Sequence, residues 1–175
     1  MKIRTLIGVF VLSAPALAYA ELSVSTFGAT NAAKCFEYAN LNTRVDTSPC
    51  DTALKVEQLT QIDRWRTLTN RGIILNRSDN LNAALADFNT VIDENDEFAE
   101  AFVNRGNTWF LAGRLDDALR DYRSSLDFGV SKPWSAWYNI GLVFDAKKAP
   151  EAAQDAYRKS LELKPGYSVA MAKLQ

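Results

Sequence analysis

The sequence predicts an all-α fold, a right-handed α-solenoid of stacked helical hairpins. Three observations lead there. The first is internal repetition. Leu68-Thr69-Asn70-Arg71-Gly72 returns as Phe102-Val103-Asn104-Arg105-Gly106 and again as Trp137-Tyr138-Asn139-Ile140-Gly141, with the glycines 34 and then 35 residues apart. The second is periodicity: the apolar residues around each glycine recur with the 3.6-residue spacing of amphipathic helices, two helices to a unit. The third is composition. In a chain of 175 residues, 47% are apolar and 23% charged, as in an ordinary globular domain with its own core.

The elements follow in order. Residues 1–20 read as a signal peptide: a basic start (Lys2, Arg4), an apolar run from Leu6, then small-x-small at Ala18-Tyr19-Ala20. The rival reading is a retained membrane anchor, but the run is short of the roughly 20 apolar residues a span needs and Pro15 interrupts it. The expected location is therefore outside the cytoplasm, periplasmic or secreted. Residues 21–61 read as a loose leader followed by a degenerate helical pair near 32–42 and 49–60, which caps the repeats. Cys35 and Cys50 are the only cysteines. In an oxidising compartment such a pair is most simply one disulfide; two buried free thiols are the other reading.

Residues 62–167 hold three repeats. Their helices are expected near 65–77 and 81–93, 98–111 and 115–127, and 133–146 and 150–163. Small residues stand where helices approach: Gly72, Ala84, Gly106, Ala118, Gly141 and Ala153. Four residues beyond each alanine comes an aromatic: Phe88, Tyr122 and Tyr157. Pro150 suits a first helical turn, where no N–H is needed. Pro165-Gly166 stops the last long helix. Residues 168–175 are expected to form a short C-terminal cap that leaves part of the last apolar edge open. Comparing the units also pairs charges. Where Arg71 and Arg105 precede the glycine, Asp87 and Asp121 stand in the second helix. Where Ile140 replaces the arginine, Ala156 replaces the aspartate. The expectation is an ion pair between the two helices of units one and two; the alternative is four solvated charges that match by accident.

The glycine, alanine and aromatic positions, with Leu163-Lys164-Pro165 closing unit three, resemble the tetratricopeptide repeat. That resemblance implies a concave groove lined by the first helices, which binds a peptide or an extended protein segment. Carried over by register, the groove residues are Arg66, Thr69, Asn70, Ile73 and Arg77, then Glu100, Val103, Asn104, Asn107 and Phe110, then Ser135, Tyr138, Asn139 and Leu142. Asn70, Asn104 and Asn139 form a ladder that could pair with a peptide backbone, or else hold neighbouring helices in register. Some members of the family clamp the C-terminal carboxylate of heat-shock chaperones through two lysines, two asparagines and an arginine. The matching positions here are Thr69, Ile73, Asn104, Ser135 and Asn139, of which only Asn104 fits.

Composition excludes other classes. Twenty Lys and Arg against twenty-one Asp and Glu give no basic field for nucleic acid. The chain has no histidine, so histidine-based triads and histidine-liganded metals are ruled out. The carboxylates at Asp79, Glu97, Asp116, Asp117 and Glu151 lie at helix starts, where capping explains them. No catalytic residue, metal or cofactor is expected. The expected function is non-enzymatic protein–protein interaction, with a self-associating structural subunit that docks through its repeat edges as the alternative.

Overall fold

The computed structural model describes residues 30–175, so the expected signal peptide and most of the leader lie outside the described residues. Within them the chain is helical throughout: α1 Thr30–Asn40, α2 Ser48–Val56, α3 Gln61–Arg77, α4 Leu81–Glu94, α5 Ala99–Leu111, α6 Leu115–Asp127, α7 Pro133–Ala146, α8 Pro150–Leu163 and α9 Ser168–Met171. Consecutive helices pair as antiparallel hairpins, and each hairpin packs on the next through α4–α5, α6–α7 and α8–α9. No helix among the described residues is long and apolar enough to cross a membrane.

Two boundaries differ from expectation by more than two residues. α3 begins at Gln61, a turn earlier, because Thr60 caps it: the Thr60 hydroxyl accepts from the Asp63 N–H at 3.2 Å and donates to the Asp63 carboxylate at 2.8 Å. α2 stops at Val56, short of residue 60, where Glu57 turns to extended backbone.

The three hairpin turns share one device. Asp79, Gly113 and Lys148 occupy equivalent positions and all take left-handed φ, at 58°, 73° and 57°. The next residue then bonds back into the ended helix: Asn80 N–H to Leu75 O, Arg114 N–H to Trp109 O and Ala149 N–H to Phe144 O, at 2.8–3.0 Å. This closes each first helix by satisfying an orphan carbonyl.

Within a hairpin the close approach is made by a glycine beneath a ring. A Cβ on Gly72, Gly106 or Gly141 would lie 2.7 Å or less from the ring of Phe88, Tyr122 or Tyr157 respectively. Those three rings are buried, as are Ala84, Ala118 and Ala153. The repeat signature is thus the packing of the two helices, read as residue types.

The α1–α2 hairpin is pinned by Cys35 and Cys50, whose sulfurs are 2.15 Å apart and fully buried. It packs Cys35, Ala39 and Cys50 onto Ile73 and Ile74 of α3. From α3, the Arg77 guanidinium donates to the carbonyls of Tyr38, Ala39 and Leu41, closing the C-terminus of α1.

Candidate functional site

The charge pairs read by comparing repeats are present. Arg71 donates to both Asp87 oxygens at 2.8 and 2.6 Å, and Arg105 to both Asp121 oxygens at 2.7 and 2.9 Å. In unit three, Ile140 packs against Ala156 instead. The structure adds a second arm. Arg71 also reaches Asp51 of α2 at 2.7 Å, and Arg105 reaches Asn89 of α4 at 2.8 Å. Each arginine therefore ties the second helix of its own hairpin to that of the hairpin before. Burial pushes the Asp87 carboxyl up against the pull of Arg71, while Arg71 is held charged chiefly by its bond to Asp87. A hollow of about 300 Å³ beside this pair is walled by Asp51, Arg71 and Asp87 together with Thr47, Leu75, Ala83 and Ala86. Among the described residues no group of three acidic or cysteine side chains is placed to hold a metal.

The groove candidates need correction. The asparagine ladder is not an open surface. Asn70, Asn104 and Asn139 are 0%, 5% and 1% exposed. Asn104 donates to its own helix at Glu100 O, 2.8 Å away. Asn139 donates to Asn107 Oδ1 at 3.0 Å, and the same oxygen accepts from the Tyr122 hydroxyl at 2.9 Å. Asn107 thus joins α5, α6 and α7. Between units one and two the same work falls to Asn76 and Thr108, which bond at 2.9 Å. Asn139 bonds a neighbouring hairpin, as the register reading expects, whereas Asn104 bonds within its own helix. Ile73, Val103 and Tyr138 are also buried, against α1, α7 and α8 respectively. Arg66 and Phe110 keep partial exposure.

One property of this face was not legible. Four side-chain atoms at its register positions are sealed from water with no hydrogen-bond partner among the described residues: Arg66 Nε, Thr69 Oγ1, Ser135 Oγ and Asn139 Oδ1. Nearby threonines show that a buried hydroxyl here has an easy solution. Thr67 donates to Asp63 O at 2.7 Å and Thr108 to Asn104 O at 3.0 Å. Thr69 makes no such bond. A buried polar group left unmade costs about 1–3 kcal/mol, so such groups need a reason.

At the far end, the Tyr157 hydroxyl donates to Asp145 Oδ2 at 2.6 Å, and Lys173 reaches the same oxygen at 3.0 Å. Burial, with the Asp145 bond second, pushes the Tyr157 phenol above its usual value near 10. An acid whose folded pKa is raised adds stability below the unfolded pKa and loses it as pH rises towards the folded one. Stability should therefore fall as pH climbs past about 10. Tyr157→Phe should flatten that limb, and urea midpoints between pH 8 and 11 would measure it.

Stacked hairpins whose second helices are tied by arginines, and whose first helices are joined by buried amides, define a helical-repeat scaffold. Family models of the tetratricopeptide repeat match residues 69–133 and 134–167, together more than half of the chain. The chain belongs to the tetratricopeptide repeat family. It is 28% identical over 86 residues to protein bimA of Emericella nidulans, which covers 49% of this chain and 10% of that protein. The chain thus spans about a tenth of that relative's length. Among solved structures it resembles YrrB, described as a TPR protein with an unusual peptide-binding site, with TM-score 0.61 and 21% identity over 74% of this chain and 64% of that one. It also resembles the first TPR of Spaghetti (RPAP3) bound to the HSP90 peptide SRMEEVD, with TM-score 0.59 and 19% identity over 63% of this chain and 86% of that one. At these identities the likeness is one of fold.

Proposed function

We propose that this chain is a non-enzymatic protein–protein interaction module of the periplasm or cell envelope, and that it takes a peptide or an extended protein segment on its concave side. The observation that carries this reading is the set of unpaired polar atoms at concave register positions: Arg66 Nε, Thr69 Oγ1, Ser135 Oγ and Asn139 Oδ1. All are sealed from water in the free chain, so a partner reaches them only where this side opens on binding; there they offer one donor, one acceptor and two groups that can be either. A peptide backbone presents the matching set whatever its side chains. The two peptide-binding neighbours support a segment as ligand. The chemistry differs from a carboxylate clamp, because Thr69, Ile73 and Ser135 bring no positive charge. The signal-like first twenty residues and the paired cysteines support export.

The test is a photo-crosslinking residue placed at Phe110 in living cells, with the same residue at exposed Arg123 as control. The proposal expects one protein captured from Phe110 and not from Arg123. Equal capture from both positions, or from Arg123 alone, would argue for docking elsewhere on the solenoid.

A further inference from the structure

The hollow beside Arg71 is built by small residues at positions that the next junction fills. Its uncharged walls are Thr47, Leu75, Ala83 and Ala86. One repeat on, Trp109 stands for Leu75, Asp117 for Ala83 and Arg120 for Ala86, each 34 residues later. Leu85 stands for Thr47, four residues before Asn89 as Thr47 is four before Asp51. Every counterpart is larger. Asp117 and Arg120 also pair with each other, and the Arg114 guanidinium lies over the Trp109 ring, 4.1 Å from its centroid. The first junction lacks those fillings. Its space of about 300 Å³ stands at the lower end of the range for ligand sites.

The charge changes along with the volume. At the second junction Arg105 meets Asp121 and the neutral Asn89, so the charges balance. At the first, Arg71 meets two carboxylates, Asp87 and Asp51. Arg71 is the only cation among the described residues that line the hollow, which leaves one carboxylate in surplus. The Asp87 side chain is 7% exposed and the Asp51 side chain 50%, so the surplus charge is reached from solvent at Asp51. Of the Asp51 oxygens, one accepts from Arg71 at 2.7 Å and the other from the Thr47 hydroxyl at 2.8 Å. An ionised carboxylate has about four acceptor sites, so Asp51 has room for a further donor.

We propose that this hollow binds an aliphatic cation, with its ammonium or guanidinium at Asp51 and its methylene chain against Leu75, Ala83 and Ala86. Two sources carry that chemistry: a lysine or arginine side chain presented by a partner, and a free alkylamine. Such a group lays an apolar stem along apolar surface and keeps its charged head near water, which is the division the hollow offers. The hollow involves none of the concave register positions, and the inference does not depend on the function proposed above.

The probe is pentylammonium chloride, titrated into the full chain at low ionic strength and followed by the NMR shifts of the Ala83 and Ala86 methyl groups. The expected result is saturable binding at least about tenfold tighter than that of uncharged 1-pentanol. Asp51→Asn copies Asn89 of the next junction; it should erase most of that preference with the melting temperature retained. Ala86→Leu fills the hollow and should weaken the amine without altering any charge. Nα-acetyl-lysine methylamide separates the sources. Binding like that of pentylammonium supports a side chain carried on a partner's backbone, and its failure where pentylammonium binds supports a free amine. No saturable binding of pentylammonium overturns the proposal. So does 1-pentanol binding as tightly, or an Asp51→Asn variant that keeps the full preference for the amine.

Discussion

Tyr122→Ala is expected to destabilise the fold by about 3–5 kcal/mol, the usual loss on truncating a fully buried aromatic. The ring is 0% exposed and closes on Gly106, which has no Cβ to follow it into the space vacated. The hydroxyl adds a second loss, since it bonds Asn107, the residue that also holds Asn139 of the next hairpin. Tyr122→Phe separates the two effects. It keeps the ring and should cost about 1 kcal/mol, the net worth of one hydrogen bond. Unit one already uses Phe88 at this position, where no hydroxyl is needed. Urea denaturation followed by circular dichroism would measure both. A phenylalanine variant as unstable as the alanine one would mean that the bridge to Asn107, not the ring, holds the hairpins together.

Asp121→Ala is expected to cost about 2–3 kcal/mol, because it strands a two-pronged, largely buried guanidinium. The Arg105 and Asp121 side chains are 18% and 6% exposed. The repeats themselves supply the rescue. Unit three has Ile140 and Ala156 in these places, so Arg105→Ile combined with Asp121→Ala should cost less than Asp121→Ala alone. A double-mutant cycle measures the coupling directly. Strictly additive effects would mean that the bonds seen here add nothing beyond the two side chains taken singly.

The comparison of repeats reached the fold and this ion pair for one reason: each unit is a control for the others. Glycine, alanine and aromatic recur because one contact recurs, and arginine and aspartate disappear together because they bond. Contacts made once leave no such trace. Asp51 is the second partner of Arg71, but it lies in the irregular α1–α2 hairpin, and nothing in its spacing announces it. The asparagines misled for a related reason. Asn70, Asn104 and Asn139 share a register position that the family resemblance places on the groove. Register fixes where a backbone sits and not which neighbour its side chain finds. Here Asn139 finds Asn107, one hairpin back. A faint signal for the bridges was available. Tyr122 and Tyr157 carry hydroxyls and have Asn107 and Asp145 within reach, whereas Phe88 carries none. The unpaired Thr69 hydroxyl had no sequence signal at all, since threonine in a buried helix usually bonds back to its own backbone, as Thr67 does.

That hydroxyl offers the most direct test of the interaction site. Thr69→Val keeps the shape of the side chain and removes its polar atom. If the hydroxyl exists to meet a partner's backbone, removing it relieves a buried unpaired group in the free protein and takes a bond from the complex. Melting temperature and affinity for the protein captured through Phe110 should be measured side by side. The account predicts affinity weaker by roughly tenfold with a melting temperature unchanged or raised. A lower melting temperature with affinity intact would contradict it, because the hydroxyl would then be supporting the fold and not the partner.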